Sequence, residues 1–547
     1  MSPLTPVLAL LLGAAALLLG LLPRFRFVGL VAVAGVTVAF VALLPLAFSL
    51  PARATLSAWG PDSLLNAGLG LEVDPLSWLF ALGVVGVTLA TLLTGLARAG
   101  GRRIAIRGVV LLLASAGLVS IFSGNLLTRV LAWAGLDLVY FLALVYFAEG
   151  EGLEPQAVLN LSFNSAGTLL AVAAALAISR TSDTLSLRDA ALTSQSTLLI
   201  TLAAVFRLGL FPLHLGLPTE INLSQGLGTM LRLIPAAVAL ETMSRLAAFG
   251  FTEPVRPWLT LFGLAALMAG AAQWWITDDP RRGMAYVIIS QSGLALLGGL
   301  WGAGGGGSAV TLAAYSLALM LGAALIFLWN GHDEKRPWAT ALPLLGAATL
   351  IGAPFTAGFV GARNLYIGLL GAGGWGWLAL GGVILAQTLL VAAALQTAFW
   401  PNQPLEGDSL AAAAYMSGLG LPALLLILAG LFAGGIGAAV LPQEAPPRGL
   451  IGLALSDTRS VIALALFVVA TGGGLAAWRF ERVARARLEV VGRGLTLLAR
   501  LDWLYRLVWS LIHGVGSLIQ NLAAVLEGEG AVLWTLVAAL LVWLLFK

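Results

Sequence analysis

The feature that most constrains this chain is a long series of apolar segments, each long enough to cross a lipid bilayer. Segments of roughly 17 to 25 apolar residues span the hydrocarbon core as helices, and the sequence contains about sixteen of them. The 547 residues are 60% hydrophobic and only 10% charged, whereas soluble proteins carry about 25% charged residues. Because lipid cannot satisfy backbone polar groups, the sequence predicts an all-α polytopic membrane protein with about 14–16 transmembrane helices.

Composition also limits the chemistry. The absence of cysteine excludes thiolate-held iron–sulfur clusters, Cys-ligated zinc and disulfides. No segment matches a nucleotide, haem or flavin motif, so we predict no cofactor and no metal site, and redox chemistry would belong to partner chains. The net charge is +4, but the basic residues lie in short runs between apolar segments. That arrangement favours a lipid bilayer as the partner and argues against nucleic acid.

The distribution of Lys and Arg between the loops predicts orientation, because cytoplasmic loops are enriched in both. With the N-terminus on the non-cytoplasmic side, Arg102, Arg103 and the Arg-rich 479–506 segment lie in the cytoplasm. The opposite side keeps fewer basic residues, among which Arg53 and Arg129 are counted as loop residues. We therefore expect a multi-pass protein of the cell inner (plasma) membrane.

Two apolar spans are interrupted. The first, Thr197–Glu220, carries Arg207 before Pro212 and His214 just after it. The second, Leu342–Leu370, is interrupted by Gly352, Pro354 and Gly358 and then carries Arg363. Irregular backbone at membrane depth must be buried in protein or line a cavity. Interrupted spans at matching places in two halves indicate an internal repeat with its site at the repeat interface, and an odd number of spans per repeat would make the halves inverted.

The ionisable residues within the spans are the candidates for an ion pathway. Asp137 is the only charge between Val130 and Ala148, and Arg207 is its natural partner. The pair would either be a static contact between helices or take part in ion handling. Arg232 precedes Pro235, where a freed carbonyl needs a partner. His214 could titrate near neutral pH or be a hydrogen-bonded structural residue.

Uncharged polar residues extend these candidates into a polar axis. Asn160, Asn164 and Thr168 recur at every fourth position and so share a helix face, where they would wet a channel or join helices. Glu241 and Arg245 are spaced to form an ion pair on one helix. The second half is poorer in polar residues: between residues 283 and 400 the spans hold Gln291, Gln387 and Arg363 but no carboxylate or lysine.

The chain ends in a segment of a different kind. Residues 481–529 alternate polar and apolar faces at helical spacing, which predicts an amphipathic lateral helix that lies either on anionic lipid or along partner subunits. A final transmembrane helix, 530–547, follows. The predicted divisions are N-terminal helices 1–106, first repeat 107–250, second repeat 251–400, C-terminal core helices 401–480, lateral helix 481–529 and final helix 530–547.

Five sequence blocks resemble one known family, the antiporter-like membrane subunits of respiratory complex I, membrane-bound hydrogenases and Mrp-type cation/proton antiporters. They are VDPLSWLF (73–80), GLDLVYF (135–141), FRLGLFPLHLGLP (206–218), DDPRRGMAYVIISQSG (278–293) and APFTAGFVGARNL (353–365). The resemblance covers about residues 70 to 430. It implies two inverted five-helix repeats with broken seventh and twelfth helices, and a proton path along a central polar axis.

The resemblance also assigns roles to residues. Asp137 matches the fifth-helix glutamate of the family, and Arg207 and Arg232 match the lysines of the seventh and eighth helices. His214 matches the histidine after the break. Arg363 lies one place beyond the twelfth-helix lysine or glutamate, whose own position holds Ala362, and the eleventh-helix histidine and lysine are missing around Leu319 and Ala323.

These departures change the expected chemistry. A buried lysine can shuttle a proton, whereas arginine stays charged at any accessible pH. The resemblance implies an antiporter-like membrane-arm subunit of a complex I-like, hydrogenase-like or Mrp-like assembly, in which other membrane subunits are partners and protons or monovalent cations are the cargo. A place in an NADH:quinone oxidoreductase-like translocase is one form of this expectation. The alternatives are a stand-alone secondary cation/proton antiporter, a non-pumping structural spacer and an inorganic-carbon-uptake subunit.

Overall fold

The fold comes from a computed structural model of the chain. It describes residues 2–19, 28–57, 68–97, 103–148, 153–182, 184–186, 192–217, 223–251, 255–277, 279–302, 307–331, 337–401, 409–431, 458–481, 506–507, 509–511, 513–517, 520–521 and 531–545. Within these ranges, 11 helices are long and apolar enough to cross a membrane. The predicted all-α polytopic fold is confirmed.

The helices are numbered in chain order. Their bounds are α1 Leu4–Leu18, α2 Val28–Leu46, α3 Pro75–Leu96, α4 Arg103–Ile121, α5 Leu126–Phe147, α6 Leu153–Ser179, α7 Ser194–Leu208, α8 Gln225–Phe249, α9 Arg256–Ile276, α10 Pro280–Trp301, α11 Gly307–Leu317, α12 Ala323–Phe327, α13 Ala341–Leu350, α14 Ala357–Gly371, α15 Gly374–Ala398, α16 Ser409–Leu431, α17 Thr458–Arg479 and α18 Ala531–Leu545. A π-helical turn, Ala318–Gly322, joins α11 to α12.

A β-hairpin precedes α3, and the sequence did not predict it. Strands β1 (Ala52–Ser57) and β2 (Leu69–Val73) pair antiparallel. The hairpin docks on the turn between α4 and α5, where the Glu72 amide donates to the Phe122 carbonyl at 2.6 Å and the Gly124 amide donates to the Gly70 carbonyl at 3.0 Å. The hairpin therefore fixes the chain just before α3 against the start of α5.

Both predicted breaks are present. Helix α7 ends at Gly209, whose φ of +58° is the left-handed conformation in which glycine commonly terminates a helix, and a 3₁₀ turn, Leu213–Gly216, follows. The second break separates α13 from α14 and contains Gly352, with φ of +74°. The inverted relation between the two halves remains a prediction.

The centre of the bundle is formed by α8, α10 and the α11–α12 helix. In the apolar stretch of the 307–327 span every residue is buried, and in the apolar stretch of α10 94% of the residues are buried. Residues 227 to 244 of α8 are all buried as well, although they include Arg232 and Glu241. Charges at such positions require partners, which directs attention to the residues packed around α8.

The end of the chain forms a separate compact unit. The chain divides into Met1–Leu488 and Glu489–Lys547. Most of the predicted lateral helix, 481–529, lies outside the described residues, while those described between residues 506 and 521 are helical. The final predicted span contains α18. The proposed division of the first 480 residues into repeats remains a prediction.

Candidate ion-pathway site

The predicted pair of Asp137 and Arg207 is present and buried. Arg207 donates from both terminal nitrogens to the carboxylate, with Nη1 to Oδ1 at 2.6 Å and Nη2 to Oδ2 at 2.8 Å. The Arg207 side chain is fully buried and that of Asp137 is 5% exposed. A bidentate pair of this kind fixes the geometry of both groups. The pair joins the middle of α5 to the last turn of α7.

Local sequence explains why the two groups reach these places. Asn125 begins α5 by accepting from the Thr128 amide at 2.9 Å. Thr193 begins α7 with a capping box in which its side chain and that of Ser196 bond each other's backbone. Because α7 ends at Gly209, Arg207 lies in its last turn, where a cation is favoured by the helix dipole.

Two further side chains contact the pair. The Thr168 hydroxyl of α6 donates to Asp137 Oδ2 at 3.0 Å and accepts from Arg207 Nη2 at 3.0 Å. The guanidinium carbon of Arg207 lies 4.5 Å from the centre of the Trp133 ring, in a cation–π contact. Thr168 was predicted on the polar face of α6, but the contact of Trp133 with Arg207 was not predicted.

Two amide side chains of α6 form hydrogen bonds at the first break. Asn160 Nδ2 donates to the Gly216 carbonyl at 2.5 Å, and Asn164 Nδ2 donates to Asn160 Oδ1 at 3.2 Å. The carbonyl freed by the interrupted helix is therefore satisfied by protein, as membrane burial demands. The predicted polar face of α6 thus reaches from the helix break to the ion pair.

A small cavity connects the ion pair with Arg232. Its lining includes Tyr140, Asn160, Asn164, Arg207 and Arg232. The cavity is close to the size that one water molecule requires. Arg232 Nη1 donates to the Gly228 carbonyl at 3.3 Å. The Tyr140 hydroxyl is buried and has no hydrogen-bond partner among the described residues.

His214 lies in the first break but outside that cavity lining. It is 8% exposed, and its ring stacks on Phe211 with centroids 5.2 Å apart. The break therefore contains a titratable ring, while Asn160 contacts Gly216, two residues further along.

A second buried charge cluster was only half predicted. Glu241 forms the expected pair with Arg245, and Arg129 Nη1 lies 2.9 Å from Glu241 Oε2. Arg245 also forms a bidentate pair with Asp74, with contacts of 2.8 and 3.1 Å. The assignment of Arg129 to a loop was wrong: it lies on α5 and is 1% exposed, because Glu241, Ser123 and Thr242 supply its partners.

Asp74 is the member of this cluster that precedes a transmembrane helix. It caps α3 through the amide and hydroxyl of Ser77. Burial raises the pKa of the Asp74 carboxyl, but the charge and hydrogen bonds of Arg245 and the hydrogen bonds from Ser77 outweigh it and lower that pKa to about 2. The aspartate of the VDPLSWLF block therefore stays ionised at physiological pH. Its position directly before Pro75 and an apolar run was the available signal for it.

The second half contains hydrogen bonds where the first has ion pairs. Gln291 Nε2 of α10 donates to the Leu350 carbonyl at the end of α13 at 3.2 Å, and the Tyr366 hydroxyl donates to Gln387 Oε1. Leu319 and Ala323, at the positions of the missing histidine and lysine, are buried in and just after the π turn. Of the polar residues predicted here, Gln291 contacts a backbone carbonyl and Gln387 contacts Tyr366, which was not predicted.

Arg363 is directed away from the other candidates. Its Nε donates to the Ser460 hydroxyl of α17 at 2.8 Å and its Nη1 to Asn364 Oδ1 at 3.1 Å. The structure therefore brings together Asp137, Arg207, Arg232, Asn160 and Asn164, and places Glu241, Gln291, Gln387 and Arg363 in separate networks. No group of three or more His, Asp or Glu residues that could hold a metal occurs in the described part of the chain.

Comparisons with known proteins agree with the predicted family. No family model matches the chain. Over 257 residues the chain is 28% identical to NADH-quinone oxidoreductase subunit N 2 of Sorangium cellulosum, covering 41% of this chain and 49% of the relative. Over 389 residues it is 26% identical to subunit N of Laribacter hongkongensis, covering 61% and 75%. The alignment thus spans about half the length of the first relative.

Solved structures share the fold. A chain of the Mrp complex from Dietzia sp. DQ12-45-1b superposes with a TM-score of 0.79 at 19% identity, covering 99% of this chain and 63% of that one. A chain of respiratory complex I from Thermus thermophilus gives 0.65 at 22% identity, covering 85% and 99%. The predicted resemblance to the antiporter-like membrane subunits is confirmed by these relatives and by the shared fold.

Proposed function

We propose that this chain, an antiporter-like membrane subunit by sequence relationship and fold, contributes to proton translocation within a larger complex I-like or Mrp-like assembly whose redox or ion chemistry lies in partner chains. One observation carries the proposal: a buried, bidentate Asp137–Arg207 pair at a helix break. Intramembrane charges at such a place mark ion and proton pathways.

Asp137 is the group of this pair that can exchange a proton. Arginine keeps its charge at accessible pH, so Arg207 acts as a fixed positive charge that biases the protonation of Asp137 and His214. Arg232, which lines the same cavity as Arg207, adds a second fixed positive charge. The proposed path therefore uses carboxylate, imidazole and hydrogen-bonding groups in the first half, with protons as the favoured cargo over other monovalent cations.

The decisive test replaces the carboxylate in the intact assembly. Asp137→Asn should abolish most proton translocation per assembled complex and should damage assembly far less, although it leaves Arg207 buried without its negative partner. Asp279→Asn, which changes an exposed aspartate between α9 and α10, serves as the matched control and should have no effect. Unchanged translocation in Asp137→Asn would rule out a proton path through this pair.

A structural spacer is the second candidate, and the pairing of the charges favours it. Asp74, Asp137 and Glu241 all form ion pairs with arginine, as expected of groups that only hold helices together. In that case Asp137→Asn would lower the abundance of the assembly and leave translocation per assembled complex unchanged. Recovery of the chain from native membranes as a fully active lone protein would instead identify a stand-alone antiporter.

The proposed membrane and orientation can be tested directly because the chain has no cysteine. We expect the inner membrane, with the N-terminus on its non-cytoplasmic side. Thr181→Cys lies in the connection between α6 and α7, and Ser224→Cys lies just before α8; both residues are exposed. A membrane-impermeant maleimide should label the first variant but not the second in intact spheroplasts. The reverse pattern would invert the orientation.

A further inference from the structure

We infer that Thr168 and Trp133 are positioning residues that hold Arg207 on Asp137 and so set the proton affinity of that carboxylate; the inference rests on the proposed function. Arg207 has three kinds of contact in addition to its packing: two hydrogen bonds to Asp137, one to Thr168 and the face of Trp133. These contacts come from α5 and α6, whereas the guanidinium belongs to the end of α7.

The Thr168 hydroxyl has a specific chemical effect. It accepts one bond from Arg207 and donates its own hydrogen to Asp137 Oδ2. A hydrogen bond donated to a carboxylate favours its charged form. Thr168 therefore hydrogen-bonds the ionised carboxylate and fixes the angle between the two charged groups.

Trp133 acts on the cation. It lies one helical turn before Asp137 on α5, is fully buried and presents its ring face to the guanidinium. A flat aromatic face on one side and a bidentate carboxylate at the edge leave a planar guanidinium little freedom to rotate. Arg207 thus remains beside Asp137 and does not turn towards Arg232.

The other groups around Asp137 do not duplicate this effect. Arg207 on α7, Arg232 on α8 and Tyr140 on α5 are charged or titratable groups that line the cavity beside the pair, and His214 lies in the adjoining break. Residues 108–121 of α4 and 155–179 of α6 contain no ionisable side chain. Thr168 is the residue of α6 whose hydroxyl hydrogen-bonds to Asp137.

The test measures the protonation of Asp137 in the purified, lipid-reconstituted protein by infrared difference spectroscopy, together with the pH profile of translocation by the whole assembly. The infrared band of the protonated carboxyl is assigned by its loss in Asp137→Asn. In Thr168→Val its midpoint should move to higher pH by about one unit, a tenfold change in proton affinity. Thr168→Ser should restore the original midpoint, and Trp133→Leu should also move it to higher pH, because Arg207 is then held less firmly beside the carboxylate.

Thr201→Val is the matched control, because the Thr201 hydroxyl bonds only the Thr197 carbonyl of its own helix. It should leave the midpoint unchanged. A Thr168→Val midpoint equal to that of the original protein overturns the inference, even if Asp137→Asn abolishes translocation. An infrared shift without any effect of Asp137→Asn on translocation would support the positioning role and contradict the proposed function.

Discussion

Both helix breaks leave backbone carbonyls that need hydrogen-bond partners, but the two halves differ in the charges that they carry. At each break an amide side chain from a neighbouring helix donates to a carbonyl, from Asn160 to Gly216 in the first half and from Gln291 to Leu350 in the second. Beside the first break lies the bidentate Asp137–Arg207 pair. The helix after the second break carries Tyr366, whose hydroxyl forms a neutral hydrogen bond with Gln387 of α15.

This difference separates what a break requires from what an ion site requires. Interrupted backbone in a membrane needs hydrogen-bond partners wherever it occurs, and an uncharged amide suffices. A buried charge costs several kcal/mol to desolvate, so it is retained only with a partner. Arg363 near the second break contacts Ser460 and Asn364 and so is directed to an outer helix. The second half has the break without a carboxylate within its described spans.

The largest expected effect is the loss of stability when the buried arginine of the first half is removed. Arg207→Leu leaves the Asp137 carboxylate buried without its cation and should lower the free energy of unfolding by about 3–5 kcal/mol. Arg363→Leu removes hydrogen bonds to a hydroxyl and an amide and should cost about 1.5–3 kcal/mol. Steric trapping in lipid bicelles measures both. A larger loss in Arg363→Leu would show that the second half holds the more important charge.

The double variant Asp137→Leu with Arg207→Leu is the control for this prediction. Replacing both members of a buried pair by apolar residues is often neutral in stability, so the double variant should recover most of the loss. Failure to recover would mean that the Arg207 side chain stabilises the protein through packing on Trp133 and not through its charge.

The next prediction tests whether the stability of the first half also depends on its second charge cluster. Glu241→Gln keeps the shape of the side chain but leaves Arg129 and Arg245 without that negative charge, which should cost about 3 kcal/mol. Asp74→Asn should cost less, because the Asp74 side chain is 11% exposed whereas that of Glu241 is fully buried. Melting temperatures in nanodiscs give the order of the two variants, and an equal loss would contradict the role assigned to burial.

The amides at the two breaks should be equivalent. Asn160→Leu and Gln291→Leu each leave a buried carbonyl unsatisfied and should lower the free energy of unfolding by about 1–3 kcal/mol. Asn160→Leu should also alter translocation, because Asn160 lines the cavity between the arginines. If Gln291→Leu changed translocation equally at matched stability, the proposed restriction of the path to the first half would be wrong.

The smallest effects concern two buried tyrosines. Tyr366→Phe removes the hydroxyl that donates to Gln387 and should cost about 1 kcal/mol. Tyr140→Phe removes a hydroxyl that has no partner among the described residues, so its stability should change by less. A reproducibly larger loss in Tyr140→Phe would show that its hydroxyl is hydrogen-bonded in the membrane. Melting temperatures of the two variants, measured side by side, decide this.

The sequence determined the features that arise from local pattern. Apolar length predicts the spans, glycine and proline predict both breaks, and helical spacing predicts the polar face of α6 and the Glu241–Arg245 pair. The pairing of Asp137 with Arg207 was also accessible, because a lone carboxylate within a span requires a cation and few are available at that depth.

Only the tertiary structure decided which distant groups meet. Arg245 bonds Asp74, 171 residues away along the chain, and Arg129 bonds Thr242, 113 residues away. Neither contact has a local signature, because each depends on which helix faces pack together. The same holds for Arg363. Ala362 faces the break at Gly352, and since successive residues on a helix with 3.6 residues per turn lie about 100° apart, the next side chain reaches Ser460 on another helix.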